Sequence, residues 1–271
     1  MVKVALLQQT AEREFAPNLA WLEDNIVKAA YQGAQFILAP ENCAMLEPKR
    51  DQHIEKAQAE ETHPLPPLFS QLAIKTGAYL LAGSIAAKLP DGRMANRSLL
   101  FAPDGSIISR YEKIHLFDVD LPNGERYRES ATFAPGERAV VADTDFGKVG
   151  LSICYDMRFP QLYRSLAKAG ASILTMPSAF TVPTGEAHWH VLLRARAIET
   201  GCFVLAPAQT GVHAEGRQTY GHSLVVAPWG EILADGGTEL GIIYADLDLD
   251  EVAAARGRVP SLQHDRAFDP A

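Results

Sequence analysis

Short apolar runs alternating with longer stretches of helical spacing constrain this chain more than any other feature. Residues 2–8 (VKVALLQ), 36–39 (FILA), 79–84 (YLLAGS), 173–176 (ILTM) and 203–208 (FVLAPA) have the length and composition of buried strands. Between them, Leu19, Leu22, Ile26, Val27 and Ala30 recur at helical spacing as far as Gly33, and Leu68, Leu72 and Ile74 as far as Gly77. Residues 160–169 and 187–200 repeat the pattern, the second run closed by Gly201. Residues 48–63 read as a surface helix, and 118–136 as a long irregular loop holding Asn123-Gly124, Glu125, Arg126 and Glu129. Two hairpins interrupt the alternation: 97–101 turns at Pro103-Asp104-Gly105 into 107–111, and 138–142 turns at Asp145-Phe146-Gly147 into 148–153. Strands at 223–226, 232–234 and 242–246 and a short helix from Asp250 complete the order. Hairpins require antiparallel neighbours and the helical crossovers parallel ones, so the expected fold is α/β with mixed strand directions. Without a linker or a shift in composition, residues 1–271 read as one domain, with a rough likeness in element order between its halves.

With 271 residues and 47% hydrophobic content, the chain has material for a sizeable core. Its formal charge of −8 opposes general binding to nucleic acid or to an anionic membrane, either of which needs a basic surface. No window approaches the roughly 18 apolar residues of a membrane span, and the apolar start passes directly into Gln8-Gln9-Thr10, so it reads as a first strand and not a leader. Cys43, Cys154 and Cys202 are odd in number, far apart and outside any CxxC pattern. That usage fits a reducing compartment, the cytoplasm by default, and neither a disulfide framework nor a zinc site.

Residues 148–160 (KVGLSICYDMRFP) carry an apolar run to Cys154, after which Phe159-Pro160 opens a helix. A thiol at such a strand-to-helix turn stands near backbone N–H groups that could hold an oxyanion, although cysteine is also among the most often buried residues. Two other reactive side chains end strands: Glu41 in Pro40-Glu41-Asn42, and Lys113 after the first hairpin. A thiol with a pKa of about 8.5 needs a base or a nearby cation at neutral pH. A carboxylate and a lysine are suited to those roles, though alone Glu41 could cap a loop and Lys113 could be a surface lysine. No histidine spacing suggests a metal site, no glycine pattern a nucleotide site, and Gly83 reads as a turn residue.

Pro40-Glu41-Asn42, Tyr111-Glu112-Lys113-Ile114-His115-Leu116-Phe117-Asp118 and the segment from Gly150 to Pro160 resemble the three signature segments of the nitrilase superfamily of carbon–nitrogen hydrolases. The resemblance spans nearly the whole chain. It implies a four-layer αββα sandwich, pairing with a second subunit as a homodimer or higher homo-oligomer, and hydrolysis of a small-molecule amide through a cysteine thioester without metal or organic cofactor. On that match Cys154 is the nucleophile, Glu41 the general base and Lys113 the group that stabilises the intermediate. Glu129 corresponds to a second glutamate that orients Lys113, and the Tyr155 N–H completes the oxyanion hole. Cys43 and Cys202 match no catalytic motif and read as packed thiols.

Later segments, among them Tyr127-Arg128-Glu129-Ser130, Pro177-Ser178-Ala179-Phe180, His188-Trp189, Ala208-Gln209-Thr210 and Tyr220-Gly221-His222-Ser223, resemble the Nit branch. That resemblance implies cleavage of deaminated glutathione to 2-oxoglutarate and cysteinylglycine, with ω-amidase or another aliphatic amidase as the alternative. A scaffold that keeps the fold without activity is the reading from a different class, and the intact Glu41, Lys113, Glu129 and Cys154 oppose it. Arg128, Phe180 and Arg217 are the candidates for binding substrate. Arg194 and Arg196 lie on a helix, where ion pairs with Glu199 or contacts to the helix carrying Arg158 are an equal reading. His190 departs from the branch, which has glutamate there. It could retune substrate choice or pH dependence, or simply sit on a surface or interface.

Overall fold

In the computed structural model, which describes residues 1–121 and 124–269, two mixed sheets lie face to face with helices on both outer sides. The first sheet runs, edge to edge, Gly241–Leu247, Val2–Gln8, Phe36–Leu38, Tyr79–Lys88, Met94–Phe101 and Ile107–Glu112, with Phe133–Ala134 pairing beside Met94–Phe101. The second runs Ile232–Asp235, Leu224–Val226, Phe203–Ala206, Ile173–Thr175, Gly147–Leu151 and Val140–Thr144. In each, the central strands are parallel and hairpins add antiparallel edges.

The period-two alternation of the first strand explains the layering. Val4 and Leu6 face the second sheet, in a core with Phe36, Leu38, Leu151, Ile173 and Val204. Ala5 and Leu7 face outward, where Leu22 and Ile26 of helix Phe15–Tyr31 and Phe69 and Leu72 of helix Leu65–Thr76 cover them. On the far side, helices Pro160–Lys168 and Val182–Thr200 cover the second sheet with Leu162, Tyr163, Leu166, Trp189 and Leu193. The expected four-layer α/β arrangement is therefore present.

Several local expectations need correction. Helix forms only over Arg50–Lys56, because the 57–63 stretch turns inward: Ala57 and His63 are buried, and Gln58 bridges to Ala87. The 118–136 segment is not wholly irregular, since Asp118–Asp120 and Arg126–Arg128 pair as a short ribbon followed by a helical turn at Glu129–Ala131. Asn123 lies outside the described residues. Gly83 is not in a turn: it sits within strand Tyr79–Lys88 at a break in register, and a Cβ there would lie 2.0 Å from the Ala39 carbonyl oxygen. That close approach brings the chain carrying Glu41 tightly over the neighbouring strand.

Candidate active site

Strand ends from both sheets converge on one cavity of about 610 Å³, lined by Glu41, Lys113, Cys154, Phe180, Arg217 and their neighbours. Its size lies within the range typical of small-molecule sites. Glu41 follows strand Phe36–Leu38 and Lys113 follows Ile107–Glu112, both of the first sheet. Cys154 follows Gly147–Leu151 of the second.

At the floor, the Lys113 ammonium, 2% exposed, donates to Glu41 Oε1 at 2.9 Å and lies 2.9 Å from Glu129 Oε2. Asn96 Nδ2 bridges the same two carboxylates, 3.0 Å from Glu41 and 3.2 Å from Glu129. The Ala179 N–H donates to Glu41 Oε2 at 2.9 Å, and the Phe117 N–H to Glu129 Oε2 at 2.6 Å. Burying three charges is costly unless they are paired and hydrogen-bonded, and here the pairing is dense. Burial works to raise the Glu41 pKa, but the charge of Lys113 and the hydrogen bonds from Lys113, Cys154 and Asn96 hold it below the usual carboxylate range. Burial opposes the Lys113 charge as well, and Glu129 and Glu41 overcome it, holding the ammonium protonated well above the ordinary lysine range.

Cys154 adopts φ +50°, a left-handed conformation that costs a non-glycine residue energy and sets its side chain at the head of a sharp turn. Its own N–H donates to the Pro177 carbonyl at 3.0 Å. Its thiol faces Glu41 electrostatically, and burial first, then the Glu41 charge, pushes its pKa upward. The resting pair is thus a neutral thiol beside an ionised carboxylate, so the proton leaves sulfur only as a bond to substrate forms.

Asp156, fully buried, locks this turn to the lysine loop. Its Oδ2 accepts from Tyr111 Oη at 2.6 Å and the Ile153 N–H at 2.9 Å; Oδ1 accepts from the His115 N–H at 3.0 Å and lies 2.7 Å from His115 Nδ1. Tyr111 and His115 flank Lys113, so one carboxylate fixes the Cys154 turn against the lysine.

The substrate-binding candidates Arg128, Phe180 and Arg217 all line the cavity. Arg217 donates through Nη2 to the Ala179 carbonyl at 3.3 Å, while its buried Nε has no partner among the described residues. Arg128 stands at the rim with its guanidinium engaged by both Asp120 oxygens at 3.0 and 2.9 Å. Arg196 pairs with Glu199 at 2.7 Å and donates to the Met157 carbonyl, as the ion-pair reading anticipates, whereas Arg194 instead holds the Gly230 carbonyl. Cys43 and Cys202 are buried outside the Glu41–Lys113–Glu129 network, with the Arg256 guanidinium donating to Cys202 Sγ at 3.1 Å. Burial pushes Cys43 to about 12 and raises Cys202, both as expected of packed thiols. Sequence reasoning missed Asn96 and the structural part of Asp156. Asn96 lies mid-strand, where a polar residue on the alternating face was the only signal; Asp156 stood in plain view, two residues after the cysteine.

The carbon-nitrogen hydrolase family matches residues 3–257. A deaminated glutathione amidase of Synechocystis sp. is 43% identical over 264 residues, covering 96% of each chain. Omega-amidase NIT2 of Homo sapiens is 36% identical over 267 residues, covering 98% of this chain and 95% of that protein. The crystal structure of the C. elegans NitFhit protein superposes with a TM-score of 0.91 at 36% identity, over 98% of this chain; this chain spans 65% of that one.

Proposed function

The chain belongs to the carbon-nitrogen hydrolase family and is a hydrolase of amides, and from that premise we propose that it cleaves deaminated glutathione by covalent catalysis at Cys154. The observation carrying the mechanism is the Lys113 ammonium held between Glu41 and Glu129, with Cys154 lining the same cavity as that pair. Glu41 takes the thiol proton as sulfur attacks the amide carbonyl. Lys113, kept charged by its two carboxylates, faces the developing oxyanion together with the Tyr155 N–H. The Cys154 N–H is committed to Pro177, so the next amide along is the one available to that role. Glu41 returns the thiol proton to the departing cysteinylglycine amine, with Glu129 holding Lys113 beside it, leaving a 2-oxoglutaryl thioester. Water activated by Glu41 then releases 2-oxoglutarate and restores the thiol.

The substrate reading rests on the 43% identity to a deaminated glutathione amidase, and Arg217 supports it as a cationic residue of the cavity lining suited to a substrate carboxylate. Omega-amidase chemistry is the second reading, favoured by the 36% identity to NIT2. Steady-state hydrolysis of deaminated glutathione beside 2-oxoglutaramate, followed by 2-oxoglutarate release, separates them. Preference for the first supports the proposal, preference for the second transfers the chain to the omega-amidases, and activity unchanged in Cys154→Ala refutes the mechanism.

A homodimer is part of the same proposal. Val191, Ile198, Trp229 and Val259 are about half exposed or more, and Ile198, Trp229 and Val259 share one recess on the outer side of the second sheet, an apolar surface suited to a second copy. A monomeric mass at sedimentation equilibrium would oppose it. Three free cysteines and a net charge of −8 support a cytoplasmic setting. Among the described residues no helix is long and apolar enough to cross a membrane.

A further inference from the structure

His190, His222 and Asp235 lie 32 and 13 residues apart in sequence, too irregular a spacing to read as a ligand set, yet the fold brings them together outside the catalytic cavity. His190 projects from helix Val182–Thr200, His222 from the loop after Gln218–Tyr220, and Asp235 from the end of strand Ile232–Asp235. The ligating atoms of all three lie within 4.8 Å of one another. His190 Nε2 is 2.9 Å from Asp235 Oδ2, and His222 Nδ1 is 2.9 Å from Asp235 Oδ1.

We propose that these three side chains form a site for a divalent transition metal of the zinc class. Two imidazoles and a carboxylate are donors that zinc, cobalt and nickel accept, with the remaining positions open to water. The spacing suits it. Metal–nitrogen and metal–oxygen bonds of about 2.0–2.2 Å meeting at the tetrahedral angle place N and O about 3.4 Å apart. An ion seated between the rings therefore replaces two shared hydrogens once each imidazole draws back by about 0.5 Å.

The surroundings hold the ligands in place. The Gly237 N–H donates to Asp235 Oδ1 at 2.9 Å, Tyr220 stacks on the His222 ring at 4.5 Å, and Trp189 Nε1 holds the His222 carbonyl at 2.8 Å. His222 itself sits at φ +55°, fixed by its N–H bond to the Gly237 carbonyl. Such outer contacts fix ring orientation and commonly matter about 10–100-fold to metal affinity. The ion would add coordinate bonds from the helix to the His222 loop and the Asp235 strand end, beside the ring contacts and hydrogen bonds already there. Trp189 also packs on Phe180 of the cavity wall at 4.9 Å, so the tie lies one residue behind the substrate cavity.

The test is titration of the full chain with Zn²⁺ by calorimetry and with Co²⁺ by visible absorption. Both are done in a Cys154→Ala background, which removes the catalytic thiol as a competing ligand. One ion per chain is expected, with affinity falling at least about tenfold in His190→Ala and in His222→Ala, and the melting temperature rising with Zn²⁺ only where the site is intact. His190→Ala places a strong helix former at a half-exposed helical position, so it remains folded and decides the matter should His222→Ala not. Binding equal in His190→Ala and its parent, or no binding to the parent, would show the cluster to be a histidine–aspartate hydrogen-bond set and overturn the proposal.

Discussion

The two sheets contribute unlike things to one cavity. The first brings the charges: Glu41 and Lys113 at strand ends, and Asn96 between them. The second brings a neutral thiol on a strained turn and a row of backbone groups at Pro177 and Ala179. Neither half is reactive alone. A thiol whose pKa is pushed up by burial is a poor nucleophile, and a buried lysine between two carboxylates is only a well-satisfied ion network. On the proposed mechanism, function arises where the face-to-face packing brings Cys154 and Glu41 into one cavity, and Asp156 is the part that fixes the approach of one half to the other.

The largest effect expected from breaking this arrangement is on the chemistry. Cys154→Ala, Glu41→Gln and Lys113→Ala should each lower kcat by roughly 10³-fold or more, and double variants should lose little beyond the singles, because the groups act as a unit. Steady-state rates on one amide substrate check both points. Additive losses would mean that the two sheets contribute independently.

Removing the tie is next. Asp156→Ala strands the Tyr111 hydroxyl and the Ile153 N–H, and should cost about 3–5 kcal/mol in denaturant unfolding. A loss of under about 1 kcal/mol would show the halves to be held by the apolar core alone.

Acid should strike the first-sheet side. Burial holds His53 and His63 neutral, each with a pKa of about 4 against an ordinary 6.5. Below 6.5 the unfolded chain binds more protons than the folded one, so stability falls as pH drops from 6.5 through 4, by about 2–3 kcal/mol for each group. Denaturant unfolding at successive pH values measures it, and His53→Phe should remove part of the slope.

Smaller still, Asn96→Ala should lower kcat about tenfold, or roughly 1.4 kcal/mol, by loosening Glu41 and Glu129 without removing either. Cys43→Ala should leave kcat within about twofold and cost about 1 kcal/mol of stability. Cys43 is only two residues from Glu41, yet its thiol meets the Ser84 carbonyl at 3.7 Å and no charged group of the site. The contrast with Cys154 shows that location relative to the charges, not burial, separates the two thiols.

What could be read from the sequence follows the same division. Glu41, Lys113 and Cys154 each end a strand, and strand ends are marked by Pro40, by a hairpin and by an apolar run, so their gathering at one edge was legible. Layering was legible too, because residues 2–8 and 36–39 are apolar on both faces. Contacts made by single polar atoms across the chain were not: Asn96 reaches Glu41 over 55 residues and Asp156 reaches Tyr111 over 45. The helix at 182–186 was missed because Pro183 reads as a breaker, whereas in the first turn it needs no N–H donor. The paired strands Thr210–Val212 and Gln218–Tyr220 carry too few apolar residues to stand out.

The most direct test of the account is to quench the wild-type protein during turnover of deaminated glutathione and to weigh the intact chain and its peptides. The account predicts a 2-oxoglutaryl adduct on the peptide bearing Cys154, lost in Cys154→Ala. Turnover with no adduct at any quench time, or an adduct on Cys43 or Cys202, would contradict it.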